Sequence, residues 1–323
     1  MGGRRMIKAV AVLITLGYCS LLVYHGGVNF NSPDNRIDAV QVPVLSIEPV
    51  TKANIFDVGQ AKNVTLDDVF ISVKTTKHYQ YTRLPIILMT WFQLAKKQIW
   101  FFTDTDNKLH QNQTGGHMVN TNCSSSHDRK HLCCKMSVEY DYFLESGKKW
   151  FCHFDDDNYV NVPQLVNVLQ KYNHQEDWYL GRTSVYEPVK IYKTVKSSFW
   201  FATGGAGFCI SRSLALKMLP VASGGRFISI CEGIRLPDDV TMGFVVEHMM
   251  KKNLTLVSEF HSHLEQMKLL DPEKFRDQIS FSYSKAEEQW NVVNVPGFNT
   301  RYDPTRFLSL HCFLFPDFKF CPR

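Results

Sequence analysis

Apolar positions are dense near the start of the chain and then return in short bursts. Ala9 to Tyr24 is an almost unbroken apolar run behind Arg4, Arg5 and Lys8, about the length of a short membrane span. From residue 26 to about 64, Asn, Asp, Pro, Gly and Val recur without a sustained period, which reads as a stem. Beyond it, "LDDVFISVKTT" alternates at Val69, Ile71 and Val73, and "QIWFFTDTD" and "KKWFCHF" are compact apolar runs. All three predict strands. "YTRLPIILMTWFQLAKK", "HLCCKMSVEYDYFLESG" and "NVPQLVNVLQKY" have helical length, with Pro85 and Pro163 in first turns, Asn161 placed to cap and Gly147 as a stop. Strands alternating with helices predict an α/β layered domain. "DWYLG" leads into a polar, hairpin-like region, and in "FWFATGGAGFCISRSLALKML" glycines allow a tight approach before a short helix. "RLPDDVTMGFVVEHMMKK" reads as a loop and a helix with Asp238 or Asp239 at its start. The region after Pro272 is mixed and weakly periodic.

The basic residues ahead of the apolar run keep that end cytosolic by the positive-inside tendency, so the chain beyond His25 is expected to be lumenal. A type II signal anchor fits best, and a cleaved signal peptide ending near "LGYCS" is the competing reading. Either places the body of the chain in the secretory pathway. The expected division is a cytoplasmic tail at 1–8, a transmembrane helix at 9–24, a lumenal stem at 25–64 and a catalytic domain at 65–323. Cysteines and sequons agree with it. Apart from Cys19 there are eight cysteines, an even number suited to an oxidising compartment, and N-x-Ser/Thr sequons start at Asn63, Asn112, Asn122 and Asn253. No CxxC pair occurs, which argues against a zinc module. Hydrophobic residues make up 44% of the 323 and charged ones 21%, so collagen, coiled coil and disorder are excluded. A formal charge of +5 without a basic, aromatic-laced stripe gives no support to nucleic acid as a partner.

Candidate chemistry lies in three places. Asp155, Asp156 and Asp157 emerge directly from the apolar "WFCHF". Adjacent like charges need solvent or a cation beside them. In a D-x-D arrangement the first and third side chains can flank one site while the middle one points elsewhere. A hard divalent cation that grips a diphosphate needs few protein ligands and open positions, which suits a nucleotide-sugar site. In "EFHSHLE", His261 and His263 are two apart, so one faces inward if this piece is extended. An aspartate and histidine set fits Mn²⁺ better than thiolate-preferring metals. In "LPDDV", Asp239 is a candidate general base and Asp238 a candidate cap, or both merely cap the helix. The residues by themselves do not rank hydrolysis against transfer.

The segments "FISVKTTKHYQYTRL", "WFFTDTD", "WFCHFDDDNYV", "FATGGAGFCISR", "RLPDDVTMGF" and "EFHSHLE" occur in order from about Leu66 to the C-terminus, and in this the sequence resembles the Fringe glycosyltransferases. The resemblance implies a GT-A type fold, with a mixed, mostly parallel sheet flanked by helices behind an N-terminal transmembrane helix. It implies a Golgi type II membrane protein that transfers N-acetylglucosamine from UDP-GlcNAc to the 3-hydroxyl of O-linked fucose on EGF-like repeats, notably those of Notch receptors. Asp157 and His263 would then bind Mn²⁺, Asp155 and Asp156 would line the nucleotide-sugar site, and Thr75 and Arg83 would lie at the donor nucleotide. Asp239 would be the base of a single inverting displacement, and Gly204, Gly205 and Gly207 would let the backbone approach donor or acceptor. Pairings of Cys123 with Cys134, Cys152 with Cys209 and Cys312 with Cys321 are implied as well. Cys133 and Cys231 depart from the family pattern; their pairing would satisfy parity, but the sequence does not show it. A related β1,3-transferase using UDP-Gal and a glycan-binding protein without catalysis are the alternatives.

Overall fold

The computed structural model describes residues 64–191 and 197–322. The expected tail, anchor and stem up to residue 63 lie outside the described residues. Among the described residues no single helix is long and apolar enough to cross a membrane.

In chain order, the first half contains β1 (Val69–Lys74), α1 (Leu84–Met89), β2 (Ile99–Thr103), α2 (Lys108–Gln113), β3 (Met118–Asn120) and α3 (Arg129–Ser146). β4 (Trp150–Asp155), β5 (Asn158–Val160), α4 (Val162–Leu169) and β6 (Tyr179–Gly181) come after them, then the antiparallel pair β7 (Val189–Ile191) and β8 (Ser197–Phe199). Next come β9 (Phe208–Ser211), α5 (Arg212–Ala222), α6 (Arg226–Ile234) and α7 (Asp238–Gly243). The remainder holds β10 (Thr255–Leu256), β11 (Ser280–Ser282), the pair β12 (Ser284–Ala286) and β13 (Gln289–Asn291), and α8 (Phe307–Leu314). Seven strands form one sheet in the order β10-β6-β9-β4-β1-β2-β3. Only β9 runs antiparallel to its neighbours, so the sheet is mixed and mostly parallel.

Alternation along the strands sorts side chains into two cores, one on each face of the sheet. Val69, Ile71 and Val73 meet Leu84 and Trp91 from the α1 region and Leu165 of α4. Phe70, Phe102 and Phe151 point the other way, onto Met136, Tyr140 and Phe143 of α3. β1 is therefore apolar on both faces, as parallel strands covered by helices on both sides must be.

The long run from Tyr81 to Lys97 is not one helix. α1 stops at Met89 because Thr90 leaves helical space (φ −108, ψ −112), and a 3₁₀ turn, Trp91–Leu94, comes next. Asn161 sits at the cap position of α4, but its amide donates to Arg276 O at 3.0 Å instead of closing the helix end. Among the described residues there are four disulfides: Cys123–Cys134, Cys133–Cys231, Cys152–Cys209 and Cys312–Cys321. Cys152 and Cys209 are direct cross-strand partners in β4 and β9.

Candidate active site

The sheet fixes where the site lies. The chain builds β1, β2 and β3 outward in one direction, then returns with β4 on the other side of β1. Such a reversal leaves a crevice beyond the C-terminal ends of the two central strands, where open α/β sheets bind ligands. Here those ends are Lys74 and Asp155, which are register partners.

The three aspartates diverge from this point. Asp155 closes on Lys74, with Oδ1 3.1 Å from Nζ, and its backbone N–H donates to Asn158 Oδ1 at 2.9 Å. Asp156 turns the other way, accepting from Thr75 Oγ1 at 2.8 Å and from Arg83 Nη1 at 2.6 Å. Asp157 is 3.5 Å from the same Arg83 nitrogen, and its Oδ1 is buried without a hydrogen-bond partner among the described residues. Thr75 and Arg83 are thus both turned onto Asp156, and the Arg83 guanidinium also lies 3.7 Å from the centre of the Tyr79 ring.

Electrostatics separates the carboxylates further. Burial acts to raise Asp155, but Lys74 and the His153 imidazole outweigh it and hold the acid far below the usual carboxylate range. Burial and the charge of Asp155 push Asp157 up to about 8. A buried carboxyl so disposed, with an open oxygen, is a natural partner for a cation.

The glycine-rich loop before β9 brings two further groups to the crevice. Asn158 anchors it, donating from Nδ2 to Gly205 O at 2.8 Å. Gly204 N–H donates to Asp239 Oδ2 at 3.0 Å, and the N–H of Val240 reaches Oδ1 at 2.8 Å. Burial and neighbouring Asp238 raise Asp239 to about 6. A Cβ on Gly205 would stand 3.2 Å from the His263 ring, so only glycine leaves that side chain its room. Burial lowers the His263 imidazole, which favours the neutral, ligating form, and its Nδ1 is buried and unpartnered. His261 faces elsewhere: its ring is paired with Gln278, Glu265 and Arg182.

Asp157 Oδ1 and His263 Nδ1 are an oxygen and an imidazole nitrogen, both buried and, among the described residues, both without a hydrogen-bond partner. That donor pair fits Mn²⁺. Among the described residues no three His, Cys, Asp or Glu side chains gather into a cage, so ligand and water oxygens would complete the shell.

Asp238 does not cap α7. Its carboxylate lies 2.6 Å from Lys74 Nζ, while the cap position belongs to Pro237. Sequence reasoning passes over Lys74, His153, Glu139 and Asn158. The signal for Lys74 is a lysine ending an apolar strand; Glu139 and His153 stand inside apolar surroundings with no local sign of being paired.

The fold and the crevice define an α/β protein with an acidic candidate site at the switch point of its sheet. The Fringe-like family model matches residues 64–318, and the chain belongs to the Fringe family. It is 61% identical over 264 residues to "Fringe glycosyltransferase" of Drosophila melanogaster, covering 80% of this chain and 64% of that protein. To the β-1,3-N-acetylglucosaminyltransferase radical fringe of Gallus gallus it is 50% identical, covering 82% of this chain and 74% of that one. With the lunatic fringe transferase of Danio rerio the identity is 47%, over 82% and 73% of the two chains. The chain thus spans just under two thirds of the fly relative's length.

Proposed function

We propose that this chain is an inverting β1,3-N-acetylglucosaminyltransferase of GT-A type, moving GlcNAc from UDP-GlcNAc to the 3-hydroxyl of O-linked fucose on EGF-like repeats, notably those of Notch-type receptors. Its identity with named Fringe transferases supports this. The observation that carries it is the Asp239 carboxylate, gripped by the backbone N–H groups of Gly204 and Val240, next in sequence to Asp238, which shares Lys74 with Asp155 of the aspartate turn.

The chemistry is a single displacement. Asp239 takes the proton of the fucose 3-hydroxyl as that oxygen attacks the anomeric carbon of GlcNAc. The new glycosidic bond forms while the bond from that carbon to the UDP oxygen breaks, and UDP leaves with the electron pair. A carboxyl near 6 is mostly ionised at neutral pH and still basic enough for this work. Arg83 and Thr75 fix Asp156 on the donor side. Asp157 and His263 would hold Mn²⁺, which when bound stabilises charge on a departing diphosphate. The apolar run from Ala9 to Tyr24 would anchor the enzyme as a type II protein of the Golgi, with this domain lumenal.

The test offers UDP-GlcNAc and UDP-Gal side by side to an O-fucosylated EGF-like repeat and determines the product linkage by NMR. GlcNAc joined β1,3 to fucose is expected. Galactose transfer would keep the reaction and change the donor, and no transfer by folded, repeat-binding protein would leave a glycan-binding module.

A further inference from the structure

We infer that Lys74 is a positioning residue that joins the donor-side turn to the general base, through Asp155 on one side and Asp238 on the other. The inference rests on the transferase reading above. Lys74 ends β1 with its side chain only 12% exposed, and its single nitrogen lies 3.1 Å from Asp155 Oδ1 and 2.6 Å from Asp238 Oδ2. Burial works against its charge, but Asp155, Asp238 and Glu139 together raise the ammonium well above its ordinary value, so it stays charged.

The groups continue inward in alternating sign. Asp155 Oδ1 is 3.5 Å from His153 Nε2, and His153 Nδ1 is 2.6 Å from Glu139 Oε2, which also accepts from Ser72 Oγ at 2.7 Å. His153 and Glu139 are fully buried. Burial and the charge of Lys74 act to lower this imidazole, yet Glu139 and Asp155 outweigh them and push it up to about 9, so it is positive at neutral pH. Two cations thus alternate with three carboxylates in one line. Removing a buried member exposes its neighbours to uncompensated like charge.

The line ends beside the base. Asp238 directly precedes Asp239, and the charges that bear on Asp239 are those of Asp238 on α7 and Lys74 on β1, while the Tyr179 phenol on β6, raised by burial and by Asp239, stays neutral. Lys74 opposes the repulsion that Asp238 exerts. One side chain therefore both ties the N-terminus of α7 to the end of the central strand and keeps the base ionised.

The test compares kcat/KM against pH for wild-type enzyme, Lys74→Met, Asp238→Asn and the double variant, with UDP affinity and thermal unfolding measured alongside. The acid limb of Lys74→Met is expected to move up by about one unit, a tenfold loss at fixed acidic pH. That of Asp238→Asn should move down, and the double variant should return toward wild type. A merely structural lysine would lower stability without shifting the limb in opposite senses. If wild-type enzyme transfers sugar while Lys74→Met keeps its acid limb, the inference on Lys74 is overturned and the transferase reading stands. Absence of wild-type transfer would sink the reading itself. Should Lys74→Met fail to fold, Lys74→Gln decides: a raised limb supports the inference and an unmoved one rejects it.

Discussion

Gly204 donates its backbone N–H to Asp239 Oδ2 at 3.0 Å, and a Cβ on Gly204 would stand 3.3 Å from the Cβ of that aspartate. The glycine loop therefore aims the carboxylate as well as accommodating it. Gly204→Ala should turn Asp239 away from the acceptor, reducing kcat by about tenfold or more with UDP affinity unchanged. Steady-state kinetics beside UDP titration checks this.

As the proposed base, Asp239 also sets the pH response. Burial, then the charge of Asp238, raises Asp239 to about 6, and the general base must be ionised to accept the fucose proton. Activity is therefore present above that value and is lost as pH falls through it. The predicted profile of kcat/KM has an acid limb near pH 6, read from initial rates in buffers of constant ionic strength.

Arg83 and Asp156 form a pair whose side chains are 24% and 6% exposed, with nitrogen and oxygen 2.6 Å apart. Taking away the guanidinium leaves Asp156 desolvated, with Thr75 as its remaining side-chain donor. Arg83→Met should cost about 3–5 kcal/mol in urea unfolding, the cost of stranding a buried charge. Adding Asp156→Asn should recover part of that loss.

Metal binding can be monitored without turnover. With Asp157 Oδ1 and His263 Nδ1 as protein ligands, Asp157→Asn or His263→Ala should weaken Mn²⁺ binding by at least about tenfold, read from the free-ion signal in electron paramagnetic resonance. Affinity left intact in both variants would rule those two residues out as ligands.

The Cys133–Cys231 bridge ties α3 to α6 across 98 residues in the core beneath α3, and neither sulfur touches Asp239, Asp157 or His263. Replacing both cysteines with serine should lower stability by about 2–5 kcal/mol while kcat below the unfolding transition stays near wild type. Peptide mapping without reduction checks the pairing, and urea unfolding checks the cost.

How much of the fold and site is legible in the chain depends on how local each cause is. Trp150–Asp155 reads as a strand running into carboxylates, because an apolar run and its polar end are adjacent in sequence. Asp238 reads as a helix cap because capping is the nearest local use for such a residue. Its partner Lys74 is 164 residues away and invisible to any local rule. β9 is hidden behind the glycines that precede it: four fully buried residues, Phe208–Ser211, have no exposed face from which to read a period. The same holds for α8, where Ser309 and His311 are buried alongside the apolar residues. α3 shows the opposite difficulty. Lys135 and Glu139 occupy its buried side, spoiling the amphipathic pattern, because they meet Asp104 at 2.7 Å and His153 at 2.6 Å in the interior.

The most direct test of the account is transfer from UDP-GlcNAc to an O-fucosylated EGF-like repeat by Asp239→Asn, with UDP and acceptor binding measured on the same preparation. The account predicts both bindings retained and turnover reduced by about 10²–10⁴-fold, the usual loss of a general base. Turnover close to wild type would contradict it, because the carboxylate held by Gly204 would then have no part in activating the acceptor.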